Sequence, residues 1–182
     1  PVFNSKNTIS KCIDYLVPLA DKGIEILISD NNSTDGTKEI LERYSEHPKI
    51  KIFYQEKNIG ALSIYSIAEK VKTKYLLPIG SDDYLIDTTN LPNTVESLDQ
   101  DDYSVGCNFK SSFIYGSKLV EDKTNIELKG DLRSRFCKFL LHVGANSRYY
   151  GIIKTQIFIN NYPKISYFGD DVALSAKILS FG

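Results

Sequence analysis

The chain has 182 residues, of which 42% are hydrophobic and 25% charged, and its formal net charge is −1. That length holds one domain with a sizeable core and leaves no room for a second of full size. The near-neutral balance excludes a surface built to bind nucleic acid, so an anionic ligand has to be met locally.

No apolar run approaches the roughly 20 residues that cross a bilayer, and no signal peptide opens the chain, which points to the cytoplasm. The absence of methionine and the abrupt start at Pro1 point to residues missing from the N-terminus. Cys12, Cys107 and Cys137 show no metal-ligand spacing and sit among apolar neighbours such as Ile13, Val105 and Phe139. This is the pattern of buried, reduced thiols.

Ser5 to Ala20 places Ile9, Cys12, Ile13 and Leu16 at helical spacing, with Asn4 or Ser5 available as a cap. Ile24 to Ser29 reads as a buried strand, and Asp30 to Gly36 (DNNSTDG) as a polar turn that opens a helix over Thr37 to Tyr44. A strand over Lys49 to Gln55, a helix over Gly60 to Lys72 and a strand over Lys74 to Ile79 follow, the last ending at Gly80, Ser81, Asp82 and Asp83. Alternation of this kind predicts an α/β fold with a mostly parallel sheet flanked by helices, because each parallel connection needs a crossover of about a dozen residues. Further on, the pattern predicts a helix at Leu91 to Leu98, strands near Ser104 to Phe109 and Ser112 to Leu119, a mobile loop at Lys123 to Lys129 and a helix from Asp131 to Val143. That less regular half suits a mixed sheet.

Ligands of open α/β sheets bind outside the carboxyl ends of the strands, which singles out Asp30 to Ser33 and the pair Asp82 and Asp83. Adjacent carboxylates repel, and a cation or hydrogen-bond donors offset them. A hard divalent ion such as Mg²⁺ or Mn²⁺ suits so sparse a set of oxygens when phosphates complete its shell. Acidic residues also form turns and helix caps, and for Asp35, ahead of Gly36 and Thr37, a cap is the favoured role.

With those residues in order, the chain resembles the family 2 glycosyltransferases of the GT-A fold over nearly its whole length. The likeness lies in Pro1 to Asn4 (PVFN) at the end of a truncated first strand, Ile28 to Thr37 (ISDNNSTDGT), Asn58 to Gly60 (NIG), Gly80 to Asp83 (GSDD), and Gly169 to Val172 (GDDV) with Leu174. The resemblance implies a single catalytic domain over 1–182, with residues 1–83 binding the nucleotide and 84–182 the acceptor. It implies nucleotide contacts from Pro1, Phe3, Asp30, Asn32, Asn58, Gly60 and Asp82, with Phe3 over the base, Asp30 on its edge, and Lys57 to Gly60 passing beside the nucleoside. Asn58 and Gly60 serve equally as a plain helix entry. Asp83 is then the direct ligand of Mn²⁺ or Mg²⁺, with Asp82 on the ribose or a metal-bound water.

The family pattern reads Glu-Asp where this chain has Asp170 and Asp171, so Asp171 is the implied base and Asp170 a supporting acceptor contact. A helix cap is the alternative for this pair. Further implications are an inverting reaction, a donor such as a uridine diphosphate sugar, a glycan or lipid-linked saccharide acceptor, bacterial surface-polysaccharide synthesis, and peripheral association with the inner face of the membrane. Asn146, Arg148, Tyr149 and Tyr150 fall on the acceptor side, although most of the tyrosines suit structural roles. His47 is expected in solvent and His142, within FLLHVG, in the core.

Three other classes compete. A haloacid dehalogenase-like phosphatase needs two aspartates one residue apart after a strand, and Asn32 and Ser33 break both registers. A nucleotidylyltransferase needs a Gly-rich, Arg-containing loop where Asn4 to Thr8 stand. A binding module without catalysis stays open, against the presence of Asp83 and Asp171.

Overall fold

The structure, a computed structural model, describes residues 1–123, 126–142, 149–165 and 169–181. The chain forms two compact units, one of Pro1–Val71 with Ile79–Pro92 and the other of Lys72–Pro78 with Asn93–Gly182.

In the first unit, α1 (Ile9–Asp21) buries Ile9, Cys12, Ile13, Leu16, Leu19 and Ala20 on one face, as the spacing predicts. It starts four residues later than expected because Ser5 is otherwise engaged: its N–H donates to the Thr37 hydroxyl at 2.8 Å, and its own hydroxyl pairs with that of Ser81. Strand β1 (Ile26–Asp30) begins two residues late, since the Ile24 N–H turns back to Leu19 O and closes α1. It pairs in parallel with β2 (Ile50–Tyr54), in register from Ile26 opposite Ile50 to Asp30 opposite Tyr54. Between them lies α2 (Thr37–Glu42), and α3 (Leu62–Ala68) follows β2 and packs on β1. The core joins Val2, Ile13, Leu16, Ile28, Leu41 and Ile50, each side chain worth roughly 1.5 to 3 kcal/mol on burial.

The second unit holds β3 (Tyr75–Leu76), β4 (Gly106–Asn108) and β7 (Gly151–Lys154) in one antiparallel sheet, with β7 in the middle. Pro78 has no N–H to donate, consistent with the two-residue length of β3. β7, which the hydrophobic pattern does not announce, runs directly into α6 (Thr155–Asn161). Glycine is needed where β4 and β7 meet, for a Cβ on Gly151 would lie 2.6 Å from Cys107 O and one on Gly106 2.5 Å from Ile152 O.

The stretch expected as one strand from Ser112 is a hairpin of β5 (Ser112–Tyr115) and β6 (Lys118–Glu121) around Gly116 and Ser117. Helix α4 (Leu91–Gln100) outruns its expected end by two residues. Helix α5 (Leu132–Leu141) is capped by Asp131, whose carboxylate accepts the Ser134 N–H at 2.7 Å, and α7 (Asp170–Ile178) lies close to the end of the chain. The expected end of α5 at Val143 and part of the Lys123 to Lys129 loop lie outside the described residues. No helix among the described residues is long and apolar enough to cross a membrane.

Two expectations about side chains are corrected here. Cys12 is buried, but Cys107 is only partly so and Cys137 is exposed, because α5 turns most of its surface outward. His142 is the C-cap of α5, with Nδ1 2.9 Å from Lys138 O, and is half-buried rather than a core residue.

Candidate functional site

Three loops of the first unit meet beyond the carboxyl end of β1. Val2 forms a parallel bridge to Asp30, with its N–H on Ser29 O at 2.8 Å and its carbonyl accepting from Asn31 N–H at 2.7 Å. This sets Phe3 to Lys6 beside the Asp30 to Thr37 loop, and short side chains lace the two together. Asn4 N–H donates to Ser33 Oγ at 2.9 Å, Asn4 Oδ1 accepts from Thr34 N–H at 2.9 Å, and Lys6 N–H donates to Asp35 Oδ2 at 3.1 Å. Asn4 and Asn32 take left-handed backbone angles, φ 47° and 63°, which asparagine tolerates better than most residues.

Asp35 is not the cap residue of α2, a position held by Gly36. Its Oδ1 instead accepts from the Thr37 hydroxyl at 2.6 Å and the Thr37 N–H at 3.0 Å. The Thr37 hydroxyl, with help from the Lys6 and Thr37 amides and against partial desolvation, holds its pKa below the ordinary carboxylate value.

Asp30 is fully enclosed, at 0% exposure. Its Oδ2 accepts the Ser33 N–H at 3.0 Å, while Oδ1 has no hydrogen-bond partner. A buried carboxylate oxygen left without a donor is costly, and a ligand N–H presented to it would relieve that cost. Phe3, 46% exposed, stands in the neighbouring Phe3 to Lys6 segment with its ring open to solvent. Asn32 is less available, because its amide donates to Glu56 O at 3.2 Å and accepts from Lys38 Nζ at 3.0 Å.

Asn31, marked in the sequence only by its place after β1, has a definite role in the structure. Buried at 4% exposure, it holds the next segment from both sides, with Nδ2 donating to Gly60 O and Oδ1 accepting from Ile59 N–H, each at 3.0 Å. Asn58 Oδ1 accepts the Gly60 N–H at 2.8 Å, the local bond of a helix entry, and Lys57, Asn58 and Gly60 are exposed.

The third loop is Gly80 to Asp83, bound to the first through the Ser5 and Ser81 hydroxyls at 2.8 Å. Both carboxylates turn back over Gly80: the point where a Cβ would stand lies 2.6 Å from Asp83 Oδ2 and 3.1 Å from Asp82 Oδ1. Glycine therefore leaves open the space into which two exposed carboxylates converge. No group of three or more His, Cys, Asp or Glu side chains able to hold a metal occurs among the described residues, so protein oxygens alone would leave an ion's shell incomplete.

Cys12 lies below the turn, its thiol donating to Gly80 O at 3.5 Å. Burial, reinforced by the charges of Asp83 and Asp82, pushes that thiol up to about 11, so it stays protonated and is no competing soft ligand. Two carboxylates with no thiolate fit a hard ion that a diphosphate completes. Next in the chain, Tyr84 stacks on Tyr15 with ring centroids 4.6 Å apart and accepts from Lys11 Nζ at 3.1 Å, fixing the turn to α1.

In the second unit, Gly169 takes the cap position of α7, so Asp170 and Asp171 are its first two residues and neither is the cap. Asp171 is half-buried. Tyr149 meets Tyr150 edge-on at 5.3 Å and Phe158 at 6.4 Å, while Asn146 and Arg148 lie outside the described residues. His47, half-buried and not fully solvated as expected, has Nε2 3.1 Å from Asp21 Oδ1.

The sequence profile of glycosyl transferase family 2 matches residues 1–159. The chain belongs to this family. Among its relatives, an Escherichia coli enzyme, the UDP-Glc:alpha-D-GlcNAc-diphosphoundecaprenol beta-1,3-glucosyltransferase WfaP, is 29% identical over 122 residues, which cover 65% of this chain and 44% of that one. Among solved structures, S. aureus TarS 1-349 in complex with UDP-GlcNAc superposes with a TM-score of 0.70 at 17% identity, covering 98% of this chain and 51% of that one. A mannosyltransferase, PcManGT from Pyrobaculum calidifontis, in complex with GDP-Man and Mn²⁺, gives 0.65 at 17% identity over 98% of this chain and 50% of its own. The fold is that of the GT-A glycosyltransferases, a mixed α/β architecture. The chain spans about half the length of these solved proteins and less than half of the E. coli relative.

Proposed function

We propose that this protein is an inverting glycosyltransferase that moves a sugar from a uridine diphosphate sugar to an acceptor hydroxyl on a glycan or lipid-linked saccharide. The observation that carries this is the convergence of Asp82 and Asp83 over Gly80, in a turn that the Ser5 to Ser81 bond ties to the Phe3 to Lys6 segment, itself bonded to the Asp30 to Thr37 loop. Residues 1–83 bind the donor and residues 84–182 receive the acceptor.

Asp30 Oδ1 accepts the N–H at the edge of uracil, and the Phe3 ring covers its face, with Pro1, Asn32, Asn58 and Gly60 bordering the nucleoside. Asp83 ligates Mn²⁺ or Mg²⁺, and Asp82 holds the ribose or a metal-bound water. When bound, the ion acts as a Lewis acid that offsets charge on the departing diphosphate. Asp171 takes the acceptor hydroxyl proton as its oxygen attacks the anomeric carbon, and Asp170 supports the acceptor. The carbon–oxygen bond to the diphosphate breaks, its electron pair leaving with the nucleotide, and one displacement inverts the centre. The name of the E. coli relative, a glucosyltransferase acting on a lipid-linked saccharide, supports a role in bacterial surface-polysaccharide synthesis.

Thermal unfolding with nucleotide sugars tests this. A uridine diphosphate sugar should raise the midpoint in Mn²⁺ and do so far less in chelator, and Asp83→Ala should abolish the metal-dependent part. An unchanged Mn²⁺ response in that variant would sink the metal assignment. Metal-dependent stabilisation without transfer to any acceptor would favour a binding module that has lost the reaction, and stabilisation by no uridine sugar would sink the donor assignment.

A further inference from the structure

One side of α1 grips the turn that carries the two converging carboxylates. The Gly80 carbonyl accepts from two donors, the Asp83 N–H at 3.2 Å, which closes the turn, and the Cys12 thiol at 3.5 Å. Ile79 and Leu85, on either side of the turn, pack against the core of the first unit. These contacts seat the two feet of the turn and leave Tyr84, the residue next to Asp83, to be placed by other means.

Lys11 and Tyr15 place it. They stand four apart on one side of α1, beside Cys12. The Tyr15 ring lies against the Tyr84 ring with centroids 4.6 Å apart and 19° between the planes. Lys11 Nζ stands 4.3 Å from the Tyr84 ring centroid and donates to its hydroxyl at 3.1 Å. Tyr84 is thus held by its face and its tip at once. The clasp adds little to the core it adjoins, because Lys11 is exposed and Tyr15 is 40% exposed, outside the set that α1 buries.

A clasp in that place answers a problem of charge. Asp82 and Asp83 repel each other as they turn over Gly80, and with no cation between them the repulsion favours a turn that opens and separates them. Tyr84 is bonded to Asp83 through the chain, so holding it limits that opening. A cation then meets oxygens that are already close together, and binding does not have to order them.

We propose that Tyr15, Tyr84 and Lys11 form a positioning clasp that sets the affinity of the site for its divalent cation, acting on the ion through Asp83. The proposal deepens the functional reading above and rests on its assignment of Asp82 and Asp83 as the metal turn.

The test follows Mn²⁺ binding to the whole chain, with uridine diphosphate in excess, by the electron paramagnetic resonance signal of the free aqueous ion. Tyr15→Ala should weaken Mn²⁺ binding roughly threefold to tenfold, the loss expected for one ring pair. Tyr84→Ala should cost at least as much, since Lys11 loses its ring partner too. Tyr15→Phe keeps the stack and should restore most of the affinity. Tyr44→Phe is the control: it removes a bond of 2.8 Å to Asp14 on the same helix, away from the turn, and should leave Mn²⁺ binding unchanged. Read well below the unfolding midpoint, Mn²⁺ affinity does not respond to a loss of stability alone, which is all that a merely structural stack would produce.

Wild-type Mn²⁺ affinity in Tyr15→Ala overturns the clasp and leaves the metal assignment standing. So does a loss in Tyr15→Phe as large as in Tyr15→Ala, or an equal loss in Tyr44→Phe, which would reflect a general loosening of α1. If the wild-type chain takes up no Mn²⁺ beside uridine diphosphate, the metal assignment falls and the clasp falls with it.

Discussion

The two units handle polar groups in opposite ways. In the first, hydroxyls and amides of Asn4, Ser5, Asn31, Ser33, Thr37 and Ser81 tie the three loops and the Ile59 to Gly60 segment together beyond the end of β1, so the groups proposed to meet the donor are held before any ligand arrives. In the second, the acidic pair opens a helix, and large apolar side chains on α5 and the hairpin face outward. A site whose side chains are already fixed binds without ordering them, which suits recognition of one nucleotide. Changes in the first unit should therefore act on donor binding, and changes in the second on turnover or stability.

The sharpest break in that comparison is Asp171→Asn. As the proposed base it should lose roughly 10²- to 10⁴-fold in turnover, while stabilisation by the uridine sugar and Mn²⁺ stays that of the wild type. Full activity would remove Asp171 from the reaction, and weakened donor binding would erase the division between the units.

Gly151→Ala is next, and it tests stability alone. Its Cβ would stand 2.6 Å from the Cys107 carbonyl, a backbone atom that cannot swing away, so urea unfolding should show a loss of about 1 to 3 kcal/mol. An undiminished midpoint would mean that β4 and β7 do not pair in this register.

Asn31→Ala addresses the first unit. It removes both bonds to the Ile59 to Gly60 segment, at about 1 to 3 kcal/mol for the buried groups left unpaired, and it should raise KM for the donor with a smaller effect on kcat. If kcat fell instead with KM unchanged, the segment would belong to the chemistry and not to donor binding.

How much of this could be read in advance follows from the same contrast. β1, β2 and the helix between them were legible because each apolar run is bounded by polar turns, and the carboxylates at strand ends were legible because position alone marks them. β7 and α6 escaped notice: Lys154 ends one and Thr155 begins the other, with no Gly, Pro or Asn to punctuate the change. The hairpin passed for one strand because Gly116 and Ser117 interrupt an otherwise strand-like run by only two residues.

Cys137 and His142 were misplaced for a different reason. An apolar neighbourhood in sequence implies burial only if the helix carrying it turns that face inward, and α5 does so at Phe139 alone among its large apolar residues. In the site, the serine and threonine hydroxyls that do the tying were invisible, since their partners stand 29 to 76 residues away. Serine and threonine in a turn suggest only local bonds until the fold brings such partners together.

Asp35 offers the smallest effect and the most selective one. Its bonds to Thr37 and Lys6 depress its pKa in the folded chain, so the stabilisation it supplies is present above the ordinary carboxylate value near 3.8 and is lost as pH falls through the lower folded value. Asp35→Asn should flatten that part of the acid limb of a stability profile and leave the profile near neutrality offset but parallel. Asp35 is only half-buried, so salt should shrink the difference. Because Asp35 links the Phe3 to Lys6 segment to the start of α2, the acid-dependent change should appear in donor binding as well as in unfolding. An acid limb identical in the two proteins would mean that the carboxylate's charge does not hold these loops together.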